Sequence, residues 1–140
     1  YRETKAQRYL DQARSIAGFL LGHPNLPADK IPYWDFNAPG IPEAKRDASA
    51  GAIIASALIE LSRYVDGEAA GQYIRVAETQ LRTLSSPEYF AEAGTNGYFI
   101  LKHSTGHLPG NSEVDVPLTY ADYYYIEALL RYRNLVLKSS

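Results

Sequence analysis

The chain has no cysteine, no methionine and a single tryptophan among its 140 residues. Without cysteine there is no disulfide framework, no thiolate metal site and no cysteine nucleophile. Reducing and oxidising compartments, cytoplasm or periplasm, both stay open. Methionine is missing from the first position too. The chain opens with YRETKAQRYL, which reads as the interior of a longer protein and leaves its targeting signals undefined. No apolar run approaches the roughly 20 residues that span a bilayer, so no membrane partner is expected. Positive charge is not in excess. A net charge of −2 argues against the basic face with which proteins neutralise nucleic-acid phosphates. P-loop, GxSxG and HExxH motifs are absent as well.

The residues present are those of one globular domain, 46% hydrophobic and 21% charged. Over Lys5–Leu21 the apolar residues Tyr9, Leu10, Ala13, Ile16, Ala17 and Leu20 recur at three- and four-residue steps, predicting a half-exposed helix. Thr4 is its expected N-cap, and Gly22 and Pro24 end it. His23–Asp47 is a proline-rich loop. Ala48–Val65 is apolar on almost every face, hence an inner helix, with Asp47 as its cap. An amphipathic outer helix follows over Glu68–Leu84, stopped by Ser85-Ser86-Pro87, and Glu88–Glu92 adds at most one turn. Ala93–Pro117 is irregular, with Tyr98–Leu101 as its one short extended run. A last, aromatic-rich inner helix covers Leu118–Leu135, with Tyr120, Tyr123, Tyr124, Tyr125 and Tyr132 distributed around it.

Outer and inner helices thus alternate, and each long loop precedes an inner helix. In antiparallel hairpins alternate connections lie at one end of the bundle. That places Trp34, Asp35, Arg46, Asp47, His103, Ser104, His107, Ser112, Glu113 and Asp115 on one face, and it points to an all-α toroid or solenoid.

The stretch from Ile31 to Ser49, IPYWDFNAPGIPEAKRDAS, is the most distinctive. A loop longer than about 12 residues inside a compact domain is usually functional or disordered, and this one is too aromatic for disorder. Tyr33-Trp34-Asp35-Phe36 sets flat aromatic surface beside a carboxylate, as carbohydrate sites do. Equally, Trp34 and Phe36 plug a barrel end and Asp35 caps a turn. Arg46-Asp47 is either an internal ion pair with an N-cap or an anion site at a helix start. The spacing of His103, His107, Glu113 and Asp115 matches no standard metal-ligand pattern. Glu113 and Asp115 are paired acids, a pattern shared by acid–base sites and by ordinary turns.

The run YWDFNAPGIPEAKRDASAGAIIASALIELS resembles the C-terminal half of the unsaturated glucuronyl hydrolases, glycoside hydrolase family 88. There a WDF…P…P..RD.SA loop leads into an alanine-rich inner helix. The closing NSEVDVPLTYADYYYIEALLRY and the leading YRETKAQRYLDQA are similar to the same family. The resemblance implies an (α/α)6 barrel with alternating inner and outer helices, of which residues 1–140 are a single C-terminal fragment of the catalytic domain. It implies an acidic oligosaccharide substrate left by polysaccharide lyases, with a 4,5-unsaturated uronic acid at its non-reducing end. In that chemistry an aspartic acid protonates the enol-ether double bond, water adds, and the hemiketal opens to release the remaining sugar. No metal and no organic cofactor is implied.

The family's two catalytic aspartates and its WxRGxxW-type cluster belong to the N-terminal half, which has no counterpart here. The resemblance therefore assigns no catalytic role to Asp35, Asp47, Asp115 or Asp122. It implies substrate contact for Ser104, Gly106, Asn111 and Ser112, and a cleft-shaping role for Trp34, Asp35, Arg46 and Asp47. The missing N-terminal part of the barrel is the expected partner. A non-catalytic helical carbohydrate-binding or interaction module is the alternative.

Overall fold

The computed structural model describes residues 1–138. Four α-helices carry the fold: α1 (Gln7–Gly22), α2 (Ala48–Leu61), α3 (Gly67–Leu84) and α4 (Thr119–Tyr132). A 3-10 turn over Ser62–Tyr64 extends α2, and a π turn over Arg133–Leu137 extends α4. The inner helix α2 lies between α3 and α4, with α1 along its remaining flank. Ala48, Ala52, Ala55 and Ile59 of α2 are fully buried, as are Ala121 and Ala128 of α4. Small side chains on both inner helices let their backbones approach closely. Gly51 serves the same purpose, since a Cβ there would lie 2.8 Å from the Ile31 side chain.

The N-terminus departs from expectation. Lys5 takes a left-handed conformation, φ 55°, and its N–H donates to the Tyr1 carbonyl at 2.8 Å. The helix therefore begins at Gln7 with Ala6 in the cap position. Thr4 is not the cap; its hydroxyl accepts the Ala6 N–H at 3.3 Å, two residues before the cap position. Asp47 caps α2 as expected, accepting the Ser49 N–H at 3.0 Å.

The fold is not wholly helical. Within the stretch read as irregular, β1 (Ser104–His107) and β2 (Ser112–Val116) form an antiparallel hairpin, closed by a 3-10 turn over Leu108–Gly110. Asn111, left-handed at φ 50°, completes that turn. The strands are short and their register shifts at Ser104/Thr105, so simple alternation of apolar and polar residues is blurred. Tyr98–Leu101 is not a strand. It leaves a 3-10 turn at Asn96–Tyr98, and only Leu101 bridges to Phe90.

Helix α4 is less enclosed than an inner helix requires. Tyr123 is 61% exposed, and Ile126 and Leu130 are also open. At the opposite flank Phe19 of α1 is 63% exposed beside Ile16 and Ile53, and Ala13, Ile16, Leu20, Ile53 and Ala57 line an apolar groove between α1 and α2. Four helices enclose one another only partly. They form an arc with two apolar ends rather than a closed bundle.

Asp122, in the first turn of α4, holds the chain leading into the hairpin. Its carboxylate accepts the Ile100 and Leu101 N–H groups at 2.8 and 2.9 Å, and Leu101 is fully buried. Replacing it leaves two backbone donors without partners. Asp122→Ala is expected to lower stability by about 2–3 kcal/mol in urea denaturation. Asp122→Asn, which keeps an acceptor, is expected to lose less.

Candidate functional site

The two long loops meet at one end of the arc, and named hydrogen bonds join them. The Ala48 N–H donates to the His103 carbonyl at 3.0 Å. Asp47 Oδ1 accepts from the Ser49 N–H, the Ser49 hydroxyl at 2.6 Å and the Thr105 N–H at 3.3 Å. The Thr105 hydroxyl donates to the Arg46 carbonyl at 3.0 Å. The short connection at Asp66–Gly67 lies at the other end, beyond the Arg131–Glu60 ion pair at 2.7 Å.

Arg46 is the strut of the first loop. Its guanidinium donates to Asp29 Oδ1 at 2.5 Å and to the Ile31 carbonyl at 3.0 and 2.6 Å. It also lies 5.1 Å from the Tyr33 ring. Those contacts use the side chain on its own loop. Helix α3 fastens the same loop through Gln80, which donates to the Lys30 carbonyl at 2.9 Å, and Thr83, which donates to that of Asp29 at 3.1 Å.

Beyond that strut the loop presents its aromatic turn. The Trp34 N–H donates to the Lys45 carbonyl at 3.0 Å, and the indole is half-buried. Asp35 is exposed and accepts the Asn37 N–H at 2.7 Å, so its carboxylate caps a turn. Phe36 lies between Phe19 and His23 in an aromatic cluster.

A charged relay crosses between the loops. Asp115 accepts from Lys45 Nζ and from His103 Nδ1, each at 2.7 Å. Those two donors, Lys45 first, hold the Asp115 carboxyl below the usual carboxylate range. The His103 ring meets the buried Tyr89 edge-on at 5.9 Å, and burial pushes the Tyr89 phenol up to about 12.

The hairpin carries unusual backbone strain. His103, Asn111, Glu113 and Asp115 all have φ between 50° and 63°. Asparagine, aspartate and histidine enter that region more readily than other side chains, and Glu113 is the one that seldom does. A left-handed residue other than glycine costs on the order of 1 kcal/mol or more, and such residues cluster at ligand-binding sites.

The hairpin residues named from sequence separate into two groups. Gly106, Asn111 and Ser112 are exposed on the hairpin. Ser104 is fully buried, and its hydroxyl has no partner among the described residues. Like Arg46, it supports the face from behind. Lys45, Thr105 and Tyr120 belong to the face but were not singled out from sequence. Lys45 stands next to Arg46 without a motif of its own. The placement of Tyr120 depends on how α4 is rotated against the hairpin.

No family model matches the chain. An unsaturated glucuronyl hydrolase of Formosa agariphila is 49% identical over 99% of this chain. A crystal structure described as an unsaturated glucuronyl hydrolase specific for heparin superposes with a TM-score of 0.93 at 51% identity, covering all of this chain and 37% of that one. An enzyme of the same name from Bacillus sp. GL1, described as responsible for the degradation of glycosaminoglycan, superposes with a TM-score of 0.85 at 30% identity, over 95% of this chain and 35% of that one. The solved neighbours are α/α barrels, and the four helices match an arc of such a barrel. The chain spans about a third, 34%, of the length of the Formosa relative and corresponds to its C-terminal part.

The Asp115 relay has a testable pH signature. Its folded-state pKa is depressed. The stability it contributes is therefore present above the unfolded value, near 3.9, and is lost as pH falls through the folded value. The difference in unfolding free energy between the parent chain and Asp115→Asn is expected to be constant at neutral pH and to shrink below about pH 4. Denaturant titrations across that range measure it.

Proposed function

We propose, from the chain's place as the counterpart of the C-terminal third of the unsaturated glucuronyl hydrolases, that it forms one wall of a glycoside hydrolase cleft. The cleft receives acidic oligosaccharides that carry a 4,5-unsaturated uronic acid at the non-reducing end. Residues 1–140 are then one fragment of a single catalytic domain. The remainder of the barrel is its partner and supplies the acid that protonates the double bond. Trp34, Asp35, Gly106, Asn111 and Ser112 are the wall's contact residues. Arg46, Asp47 and Ser104 hold the wall in shape.

One observation carries this reading more than any other. Two loops far apart in sequence are locked into a single face at one end of an arc, through Asp47 to Thr105 and Lys45 to Asp115. A ligand-binding wall needs that rigidity, because contact atoms must be held in place before the ligand arrives. Most carboxylates of the face are already committed. Asp29 serves Arg46, Asp35 its own turn, Asp47 three donors and Asp115 two. That distribution supports a positioning role over proton transfer.

The rival reading is a self-sufficient carbohydrate-binding or interaction module. The apolar ends of the arc, Tyr123, Ile126 and Leu130 at one flank and Ile16 and Phe19 at the other, favour completion by further helices. Exposed apolar faces of that extent usually mark an interface.

The barrel reading is tested in solution. Under the barrel reading the isolated chain leaves the ultraviolet absorbance of the C4–C5 double bond unchanged when mixed with lyase-generated unsaturated disaccharides. Millimolar disaccharide shifts the NMR signals of the 34–36 and 106–112 segments, and Trp34→Ala weakens binding by about 5- to 10-fold through loss of a stacking surface. Turnover by the isolated chain would show that the proton donor lies within it, overturning the assignment.

A further inference from the structure

The chain has asparagine at positions 25, 37, 96, 111 and 134, and only Asn96 is followed by glycine. Asn96, Gly97 and Tyr98 are left-handed in succession, with φ 51°, 62° and 68°. Asparagine and glycine enter that region readily, and tyrosine seldom does. The turn lies in the segment that leads from α3 to the hairpin, and Gly97 and Tyr98 are exposed. The Gly97 N–H donates to no acceptor among the described residues.

The Asn96 side chain fastens the backbone just beyond this turn. Its Nδ2 donates to the Phe99 carbonyl at 3.2 Å and to the Leu101 carbonyl at 3.0 Å. Two acceptors around one nitrogen fix the orientation of the amide. On the same strip the Asp122 carboxylate accepts the Ile100 and Leu101 N–H groups. Residues 99–101 are thus clasped between an amide that supplies donors and an acid that supplies acceptors. Leu101 is fully buried, so its carbonyl cannot turn to water instead. A carboxylate in place of the amide at position 96 sets negative oxygen against two carbonyl oxygens and leaves both without a donor.

We infer that Asn96–Gly97 is a site of spontaneous deamidation, and that the reaction opens the clasp on residues 99–101. The Gly97 nitrogen, its proton passed to hydroxide, attacks Asn96 Cγ. The ring C–N bond forms and the bond from Cγ to Nδ2 breaks. Nδ2 takes a proton from water and leaves as ammonia. Water then opens the cyclic imide at either carbonyl, which gives aspartate or, with the main chain rerouted through the side chain, isoaspartate. No group is oxidised or reduced, and water is the only co-reactant. Glycine suits the step because no side chain shields its nitrogen, and here that nitrogen is exposed and unengaged. While both carbonyls hold Nδ2 the carboxamide cannot turn toward Gly97, so the rate follows local opening of the loop. The product cannot close the clasp again. The change therefore loosens the lead into His103, whose carbonyl receives the Ala48 N–H. This inference does not depend on the wall reading.

Peptide mapping by mass spectrometry tests it on the full chain, incubated warm at mildly alkaline pH. Asn96 is expected to convert first, with isoaspartate among its products, while Asn25, Asn37, Asn111 and Asn134 serve as internal controls. Asp122→Ala, which frees the other side of the clasp, is expected to speed conversion at Asn96 about tenfold, as the loss of one net hydrogen bond would. Acceleration confined to Asn96 marks local opening, whereas global unfolding would speed all five sites. In Asn96→Asp, which carries the product charge, the Ile100 and Leu101 amides are expected to exchange hydrogen about tenfold faster than in the parent chain. Conversion at Asn96 no faster than at the other asparagines would sink the assignment. A rate that Asp122→Ala leaves unchanged, or unaltered exchange in Asn96→Asp, would refute the clasp.

Discussion

The carboxylate of Asp47 is the joint on which the loop-bearing end depends. It sits at the start of α2 and takes three donors, two from Ser49 and one from the Thr105 backbone. The Ser49 N–H is one of the helix N-terminal donors that would otherwise be buried without a partner, and the Ser49 hydroxyl reinforces the cap. The third reaches 58 residues along the chain to β1. Local capping and long-range assembly thus use one functional group. Around it the Ala48 N–H meets the His103 carbonyl and the Thr105 hydroxyl meets the Arg46 carbonyl. The hairpin is docked onto the helix start by one backbone–backbone bond and by the Asp47 and Thr105 side chains, so the geometry depends on those two residues. Lys45, His103 and Asp115 add charge to this frame but are partly exposed, where ion pairs contribute little stability.

Fixing the hairpin this way accounts for the strain it tolerates. His103, Glu113 and Asp115 are held left-handed within a few residues of one another. Such backbone persists only where surrounding bonds over-determine it. The His103 carbonyl and Asp115 side chain are both tied down. Glu113 is the exception: its backbone is constrained by its neighbours, while its carboxylate lies over Gly106 with no ion-pair partner among the described residues.

Helix positions were legible in the sequence because they follow from periodicity, the end of α1 because Pro24 cannot continue a helix, and the cap of α2 because Asp47 suits an N-cap. The placement of both long loops at one end followed from counting hairpins. The hairpin itself was not legible. Strands of four and five residues with a shifted register leave too little alternation to read, and their conformation is imposed by docking onto α2. Thr4 misled for a similar reason: the left-handed Lys5 delays the helix by two residues, and no local signal marks it. Arg46 and Ser104 show the limit for the site. Residue type marks Arg46 as an anion binder, yet Asp29 and Ile31 occupy its donors. A serine in a polar loop reads as accessible, yet Ser104 lies beneath the sheet. Burial and prior commitment are properties of the assembled face.

The same distinction decides what this arc contributes to a barrel. A proton donor in a hydrolase must hold its proton until the substrate arrives, which calls for a carboxyl whose charged form is disfavoured. The Asp115 carboxyl is shifted the other way by Lys45 and His103. Asp29, Asp35, Asp47 and Asp122 accept hydrogen bonds from the protein itself. Acidic side chains here serve as rivets, and rivets make a wall stiff without making it reactive. If the arc is the cleft wall proposed above, it acts on chemistry through shape: through which sugar units fit against Trp34 and the hairpin. A barrel assembled from arcs can change substrate preference by altering one wall while the proton-transfer machinery on another stays intact, as function divides between scaffold and site.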